Sequence, residues 1–388
     1  MDLNLFGPEV QADPVPAFQA LRDEGPVVWN DMLGMWMATH HAANAEALRE
    51  PARFSSRANA DIGRVAEAFV VDSMSSADPP DHARLRDPVR RAFTPRAVGR
   101  LEAQVIGWVE EMLEPLERGQ EFDVFNGLAE PLPGAVITGM MGIPVSDRPM
   151  FTGWADDLVA GNSAVASPEL GEQAVVAGQA LRDYFATLIA LRRESPADDL
   201  ITRLIESNSD GQLNESELLS ACVLLLFGGL ETTTNLIANS LLVLAENPEQ
   251  RKRLTDDPAL LPTAVEELLR FVGPPQGMLR AVVADTELAG QKLAADDRIM
   301  LLIGCANRDE RTFDAPNELD LGRDPNPHLA LAFGIHFCLG AAVARLEARH
   351  ALAGVLRRAP EYRVSTQELR WRGGFFIRGL EELSIVTD

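Results

Sequence analysis

The sequence Phe-Gly-Ile-His-Phe-Cys-Leu-Gly-Ala-Ala, residues 333–342, places a cysteine at the start of a predicted helix. Apolar residues recur at helical spacing over residues 341–349, so Leu339 and Gly340 are expected in the first turn of that helix. A free thiol titrates near pH ~8.5, and helix N-terminal amides or a metal lower that value. Gly334 permits a tight turn and leaves a flat approach without a side chain. The stretch therefore predicts a stable thiolate at Cys338 that faces a broad ligand.

The other two cysteines have a different sequence context. Cys222 and Cys305 lie in the apolar runs 221–227 and 299–306, and a free cysteine in such a run is usually a structural core residue. Cys338 differs from them because glycines and a helix start flank it. Cys338 could serve as a ligand of a haem iron. The alternative, for any single cysteine, is a structural role.

Composition indicates one large soluble unit. The 388 residues are 46% hydrophobic, which is ample for a sizeable core. We find no Pro/Gly/Ser-rich linker, repeat or low-complexity stretch, and therefore predict a single domain over residues 1–388. Helical patterns dominate, with short β-rich segments near each end. The expected fold class is mainly α with small β regions.

The cysteine content and the net charge limit the cellular compartment and the binding partners that we expect. Three cysteines indicate a reducing compartment rather than a disulfide framework. The N-terminus has no signal-peptide pattern, and the longest apolar run, 221–230, is too short to cross a bilayer. We therefore expect a cytoplasmic protein with no membrane contact. A net charge of −23 disfavours nucleic acid, whose binding requires Lys and Arg to neutralise phosphates.

A predicted helix over about residues 215–245 is roughly three times the mean helix length. Its centre, residues 227–234, reads Phe-Gly-Gly-Leu-Glu-Thr-Thr-Thr, and each glycine costs the helix roughly 1 kcal/mol relative to alanine. Glycines permit close approach of a flat cofactor, and a threonine hydroxyl can divert a backbone carbonyl and open the helix locally. Glu231 and Thr232 could then deliver protons through a water. The alternative is a helix kink with an exposed glutamate.

Together these segments resemble the cytochrome P450 family, the haem-thiolate monooxygenases, and in particular its soluble bacterial class. The similarity extends from about residue 50 to the end of the chain. It implies the cytochrome P450 fold, with a long central helix over a haem b cofactor and the cysteine loop and its helix on the proximal side. Cys338 matches the iron ligand, and residues 228–232 are similar to the family's oxygen-binding stretch.

Glu267 and Arg270 are similar to the family's Glu-x-x-Arg motif, and Arg323 is placed to complete an ion-pair cluster. A Glu-Arg pair three residues apart on a helix is ordinarily a surface pair that contributes a few tenths of a kcal/mol. A buried pair would instead be costly to break. The resemblance implies the buried arrangement and a structural role.

The resemblance also implies which residues bind the two haem propionates. His82 and Arg86 stand four residues apart, as they would on one helix face, and can reach one anion together. Arg280 and His336 match two further propionate partners by position. The alternative for a surface histidine is simple solvation.

The activity implied is insertion of one oxygen atom of O₂ into a hydrophobic organic substrate. Cys338 binds iron, while Thr232 and Glu231 serve proton delivery. By position, the distal pocket is lined by apolar or aromatic side chains, which are Leu224, Phe227, Met278 and Phe376. The segment 57–76 and the helices near 150–160 and 171–191 are expected to form its lid.

No flavin or iron–sulfur motif is present, so electrons are expected from an acidic ferredoxin and a ferredoxin reductase. Six arginines between Arg84 and Arg100, with Arg345, would form the docking face; the alternative is a solvated face. A peroxygenase that uses hydrogen peroxide and a non-catalytic haem sensor or storage protein are the rival functions. One departure from the family pattern is Leu331-Ala332, where Phe-Gly is usual. We expect altered sulfur hydrogen bonding and redox potential from this change.

Overall fold

The computed structural model describes residues 3–5, 7–61, 73–93, 95–162, 168–372 and 376–387. Its helices, in chain order, are α1 (Pro8–Ala12), α2 (Val15–Glu24), α3 (His41–Arg49), α4 (Asp81–Ala92), α5 (Pro95–Met112), α6 (Pro131–Met140), α7 (Arg148–Asn162), α8 (Pro168–Glu194), α9 (Leu200–Ser207), α10 (Glu215–Glu246), α11 (Pro248–Asp256), α12 (Leu261–Val272), α13 (Ile303–Ala306) and α14 (Ala341–Arg358). Its strands are β1 (Val27–Asn30), β2 (Met35–Ala38), β3 (Phe54–Ser55), β4 (Glu121–Asp123), β5 (Met278–Val282), β6 (Thr286–Leu288), β7 (Gln291–Leu293), β8 (Arg298–Leu301), β9 (Tyr362–Val364) and β10 (Ser384–Thr387). These elements confirm the predicted mainly α class with small β regions.

The chain divides into two compact units. Unit 1 comprises Met1–Phe54, Glu102–Leu132 and Thr232–Asp388, and unit 2 comprises Ser55–Leu101 and Pro133–Glu231. The helix α10 belongs to unit 2 up to Glu231 and to unit 1 from Thr232 onward. The single domain over residues 1–388 stays a prediction.

Unit 1 contains the β-structure. One sheet has the strand order β1-β2-β8-β5-β3, in which β2 and β8 run parallel with Met37 opposite Met300. A second, antiparallel sheet has the order β4-β10-β9. A buried apolar cluster includes Val27, Leu48 and Ile299, so β1, β8 and α3 share one core. This core holds β5, which carries two of the predicted site residues, against β8.

Apart from Ser55 of β3, the described regular elements of unit 2 are helices. The start of α10 shows why its helices begin where they do. The Asn214 side chain accepts a hydrogen bond from the Glu217 amide at 3.0 Å, and the Glu217 carboxylate accepts one from the Asn214 amide at 2.9 Å. This reciprocal pair is a capping box. The Asp199 carboxylate caps α9 in a similar way by accepting from the Thr202 amide. Both starts therefore follow from the polar residue that precedes the helix.

The helix α10 confirms the long helix predicted over about residues 215–245. It has 32 residues and is helical throughout. By length and composition, α8 and α10 are the two described helices that are apolar enough to cross a membrane. The most apolar window of α10 is 61% buried within the protein, which is typical of a core helix. Its apolar sequence is therefore explained by burial.

Candidate active site

Cys338 lies between a 3-10 turn, Gly334–His336, and the helix α14. Its amide donates to the Leu331 carbonyl at 2.9 Å, which closes the loop, and its side chain is partly buried. The helix begins at Ala341 with Gly340 as its N-cap, so Leu339 and Gly340 form a turn before the helix and not its first turn as predicted. The thiol therefore precedes the N-terminus of an 18-residue helix, where the helix dipole favours an anion.

Three amides at the start of α14 donate to backbone oxygens. The Ala341 amide donates to the Cys338 carbonyl at 3.4 Å. The Val343 and Ala344 amides both donate to the Gly340 carbonyl at 2.9 Å. These three amides are satisfied by backbone oxygens, so they favour a thiolate only through the helix dipole.

The backbone of the cysteine loop has two residues with positive φ. Gly334 has φ of 68°, as a tight turn requires. A Cβ at Gly334 would lie 2.8 Å from the Leu48 carbonyl oxygen, so the missing side chain makes room for the end of α3. Ala332 has φ of 59°, a conformation that is unfavourable for any residue with a Cβ. The departure Leu331-Ala332 therefore places a strained alanine where the family usually has glycine.

A buried ion cluster lies in the same unit, as predicted. The Glu267 carboxylate accepts two hydrogen bonds from Arg270, both at 2.8 Å, and contacts Arg323 at 3.1 Å. Asn326 also donates to Glu267 at 3.1 Å. The Glu267 and Arg270 side chains are fully buried, which excludes the surface-pair alternative. The cluster joins α12 to the segment that leads into the cysteine loop.

A second carboxylate of α12 binds α14. The Glu266 carboxylate contacts Arg345 at 2.6 Å and His328 at 3.1 Å. Burial alone would raise the pKa of Glu266, but the hydrogen bonds from Arg345 and His328 lower it to about 2. The hydrogen bond to Glu266 raises the pKa of Arg345, and the charge of Cys338 contributes in the same direction. Sequence reasoning identified neither Glu266 nor His328.

Two other predicted cofactor residues lie in unit 1. Arg280 is 4% exposed on β5, where its guanidinium donates to the Leu279 carbonyl at 2.7 Å. His336 ends the 3-10 turn two residues before Cys338. Of the substrate residues, Met278 shares a face of β5 with Arg280 because side chains alternate along a strand. The Phe376 carbonyl accepts from the Gln276 amide at 2.9 Å, which places its segment beside the start of β5.

The remaining cofactor pair lies in unit 2. His82 and Arg86 occupy one face of α4, and His82 is 4% exposed. Burial lowers the pKa of His82, and the neighbouring Arg86 charge lowers it further. Their proximity confirms that the pair shares one helix face, as its spacing predicts.

The middle of α10 is less buried than its flanks. Leu224, Phe227 and Glu231 recur at helical spacing and are partly exposed, whereas Leu225 and Leu226 are buried. A Cβ at Gly228 would meet no atom within 4 Å, whereas one at Gly229 would press on Ile137 at 3.3 Å. The structure thus leaves open space at Gly228, whereas a side chain at Gly229 would make a tight contact with Ile137. Thr232, the next residue after Glu231, is also partly exposed.

The predicted lid is described in part. The helices α7 and α8 cover the two predicted helical segments, while residues 62–72 of the predicted loop lie outside the described residues. Tyr184 of α8 donates to Asp147 at 2.7 Å and packs edge-to-face on Phe151 of α7. The two helices therefore form one packed layer of unit 2.

Most of the arginines predicted to attract a redox partner are already paired. In unit 2, Arg84 contacts Glu217 at 2.7 Å and Arg100 contacts Asp198 at 3.0 Å. Arg90 contacts Asp87, and the Arg91 guanidinium donates to the Ser207 carbonyl. The side chain of Arg96 lies outside the described part of the structure. Local acids therefore reduce the net positive charge of this face.

Glu347, on α14, is a buried residue that sequence reasoning missed. It is 2% exposed, and its Oε2 has no hydrogen-bond partner among the residues that the structure describes. Burial raises its pKa well above the ordinary value. The available signal was its position between Val343 and Ala351, which lie one helical turn away on either side and are both buried.

The donor set fits a haem. Within unit 1, the Cys338 thiol could hold an iron, and the buried cation Arg280 with His336 suits a carboxylate group. Burial raises the pKa of both Cys222 and Cys305 to about 12, which keeps them protonated. Cys338 is the cysteine of this chain that is not fully buried.

Comparisons with known proteins agree with this geometry. The family model described as Cytochrome P450 matches residues 4–370. The polyketide biosynthesis cytochrome P450 PksS of Bacillus subtilis is 40% identical over 321 residues, which cover 82% of this chain and 78% of that protein. A steroid C26-monooxygenase of Mycobacterium tuberculosis is 37% identical, with 95% and 92% covered. The crystal structure of P450BioI with a hexadecenoic-acid-ligated acyl carrier protein superimposes with a TM-score of 0.91 at 33% identity, covering 98% of this chain and 100% of that one.

Proposed function

The chain belongs to the cytochrome P450 family of monooxygenases that act on organic substrates, and from this premise we propose that it inserts one oxygen atom of O₂ into a small or medium hydrophobic molecule, with electrons from a ferredoxin. The observation that carries the proposal is the position of Cys338, a partly exposed thiol before a long helix in a loop closed by backbone hydrogen bonds. When bound, haem b supplies the activation of O₂ and the transfer of one of its atoms.

In this proposal the residues of unit 1 bind and orient the cofactor. Cys338 Sγ would hold the iron as a thiolate, which the dipole of α14 favours. Arg280 and His336 bind a propionate, and His82 and Arg86 of unit 2 supply the other cationic pair. The Glu267 cluster keeps the segment before the cysteine loop in place, since Asn326 donates directly to Glu267.

Proton delivery is assigned to Thr232 and Glu231. The Thr232 hydroxyl would hold a proton for the reaction, and Glu231 would relay protons from solvent. Support comes from their position on the partly exposed stretch of α10, where Gly228 leaves open space. A peroxide-driven enzyme would not need this pair, because hydrogen peroxide already carries the protons.

The proposed substrate is hydrophobic. Leu224, Phe227, Met278 and Phe376 are partly exposed apolar side chains, as expected of residues that line a pocket and exclude water from it. The names of the relatives support a hydrophobic substrate, since they refer to a polyketide pathway, a steroid and a long-chain acyl group. The P450BioI structure contains an acyl carrier protein. We therefore include an acyl group bound to a carrier protein among the proposed hydrophobic substrates.

The proposed setting is the cytoplasm, with an acidic ferredoxin and its reductase as partners. All three cysteines are free, which suits a reducing compartment. The pairing of Arg84, Arg90 and Arg100 with local acids implies that a docking partner competes with those acids. We therefore expect the association rate to fall steeply with salt concentration.

The test is product formation with a hydrophobic panel that includes a steroid, a long-chain fatty acid and an acyl carrier protein conjugate. Supplied with ferredoxin, reductase, NADPH and ¹⁸O₂, the protein should form a product that contains one ¹⁸O atom. Thr232→Ala should consume NADPH with at least about tenfold less product per NADPH, since proton delivery contributes 10²–10⁴-fold in rate. Product formation that depends on added hydrogen peroxide and not on NADPH would contradict the proposal.

A further inference from the structure

Unit 1 contains a cavity of about 570 Å³ that the proposed function does not use. Its wall is formed by the junction of α1 and α2, the last turns of α10, the end of α12, and the residues around Arg308, Trp371 and Arg378. None of the residues predicted to bind haem or substrate lines it. Its volume lies in the range of about 300–1,000 Å³ that is typical of small-molecule sites.

Two arginines with neutral partners line this cavity. Arg308 is 8% exposed, and its strongest hydrogen bond goes to the Phe271 carbonyl at 2.7 Å. Arg378 donates to the carbonyls of Gln11 at 2.8 Å and Ala12 at 2.9 Å. Within the described part of the chain, neither guanidinium lies within 4 Å of a carboxylate oxygen. Arg308 is buried and Arg378 is partly exposed. The charges of Asp13 and Glu246 attract Arg378 without forming an ion pair, so an anion between the two guanidinium groups would add stabilisation.

The electrostatics of the two arginines agree with this geometry. Burial lowers the pKa of Arg308 to about 9, and repulsion from Arg270 and Arg378 contributes to the shift. Burial also lowers the pKa of Arg378 to about 10. The pair therefore consists of cations close enough to repel each other, and Arg270 cannot serve as a third donor because Glu267 and three backbone carbonyls already occupy it.

The walls between the charges are aromatic. The Arg308 guanidinium lies 3.6 Å from the centroid of the Phe271 ring, and that of Arg378 lies 3.5 Å from the centroid of a Trp371 ring. Each guanidinium therefore makes a cation–π contact with a ring. A carboxylate is an anion that guanidinium N–H groups bind well, and the rings suit an apolar group attached to it.

Two acids of the cavity limit the charge of the ligand. Asp13 and Glu246 also line it, and Asp13 Oδ1 accepts from the Val15 amide at 3.1 Å. Burial raises the pKa of Glu246, although Arg378 opposes the shift. With two acids present, a dianion such as phosphate would meet more repulsion than a monoanion.

We propose that this cavity binds a small organic carboxylate, with its carboxylate between Arg308 and Arg378 and its apolar part against Phe271 and Trp371. The ligand would also fix the N-terminal segment, because Arg378 is bound to the carbonyls of Gln11 and Ala12. The site is separate from the proposed monooxygenation and does not depend on it.

The test is calorimetric titration of the purified protein with phenylacetate, indole-3-acetate and octanoate. Saturating 4-phenylimidazole, an azole ligand of haem iron, fills the distal pocket during the titration. At least one carboxylate should bind with one-to-one stoichiometry, and its neutral amide should bind at least about tenfold more weakly. No binding by any of the three, or equal binding of acid and amide, would overturn the proposal.

Variants identify the site. Arg378→Gln should weaken carboxylate binding by about tenfold or more, because a charge-assisted hydrogen bond is lost. Glu246→Gln removes the opposing charge and should tighten binding about three- to tenfold. If Arg378→Gln does not fold, the affinity of Glu246→Gln alone tests whether the carboxylate binds in this cavity. Arg370→Gln is the matched control, since Arg370 is 61% exposed and outside the cavity. Equal effects of the Arg370 and Arg378 changes, or unchanged binding in Glu246→Gln, would contradict the assignment.

Discussion

Two buried glutamates of unit 1, Glu267 on α12 and Glu347 on α14, have opposite surroundings. Glu267 is fully buried and accepts hydrogen bonds from Arg270, Arg323 and Asn326. Glu347 is 2% exposed, and its Oε2 has no partner in the described part of the chain. The donors around Glu267 satisfy its carboxylate oxygens, whereas burial without donors favours the protonated form of Glu347. Partners, and not depth of burial, therefore decide whether such a residue stabilises the fold.

The largest expected effect is at the paired glutamate. Glu267→Gln leaves Arg270 and Arg323 buried without a counter-charge, which should lower the free energy of unfolding by about 3–5 kcal/mol. Thermal and denaturant unfolding of the purified variants measures this change. The control is Lys252→Ala, which removes an exposed ion pair to Asp256 and should cost less than about 1 kcal/mol. Similar losses in the two variants would remove the basis of the comparison.

Glu266, the neighbour of Glu267, also has charged partners, and the stability that it contributes should depend on pH. Its pKa is lowered to about 2, so its stabilising contribution is present above the unfolded value of 4.5 and is lost as the pH falls toward 2. Glu266→Gln should therefore cost about 1–3 kcal/mol at pH 7, after allowance for partial exposure. The deficit should shrink as the pH is lowered through this window. A deficit that is the same at pH 7 and pH 3.5 would show that the charge is not its origin.

The contribution of Glu347 to the free energy of unfolding should depend on pH in the opposite direction to that of Glu266. Because its folded pKa is raised, the stability that it contributes is complete below the unfolded value and is lost as the pH rises toward the folded value. Glu347→Gln removes this loss and should raise the free energy of unfolding at pH 7 by about 1 kcal/mol or more, since one pKa unit corresponds to about 1.4 kcal/mol. Melting temperatures at several values between pH 5 and pH 8 measure it. Destabilisation at pH 7 would mean that the carboxylate has a partner that matters.

The smallest expected effect concerns the backbone of the loop that the Glu267 cluster supports. Ala332 has φ of 59°, so Ala332→Gly relieves strain of about 1–2 kcal/mol and loses part of it to the greater freedom of unfolded glycine. We expect Ala332→Gly to raise the free energy of unfolding by about 0.5 kcal/mol, as measured by denaturant unfolding. Ala342→Gly, on an exposed position of α14, should instead destabilise by about 0.5–1 kcal/mol. Equal signs for the two changes would contradict the assigned strain.

Sequence reasoning predicted features whose cause is local. The similarity of Glu267 and Arg270 to the family's Glu-x-x-Arg motif implied the buried pair, and the apolar pattern of residues 215–245 predicted the long helix within one residue of its ends. Leu331-Ala332 was visible as a departure, but its positive φ was not. The fold class and the family were also predicted correctly.

The features that were missed depend on contacts between distant segments. Gly334 is required by the Leu48 carbonyl, which is far from it in sequence. The cavity is formed by segments that are far apart in the sequence, and the docking arginines are neutralised by acids up to 133 residues away. No local pattern contains this information, because pairing and enclosure depend on tertiary packing.

The central claim is that Cys338 binds the haem iron, and the visible absorption spectrum of purified cysteine variants tests it most directly. We predict that the wild-type protein, Cys222→Ala and Cys305→Ala show the spectrum of a thiolate-ligated haem. Cys338→Ala should lose it, even where haem remains bound. The other two cysteines are suitable controls, because both are fully buried and held protonated. A thiolate-haem spectrum that persists in Cys338→Ala would contradict the account.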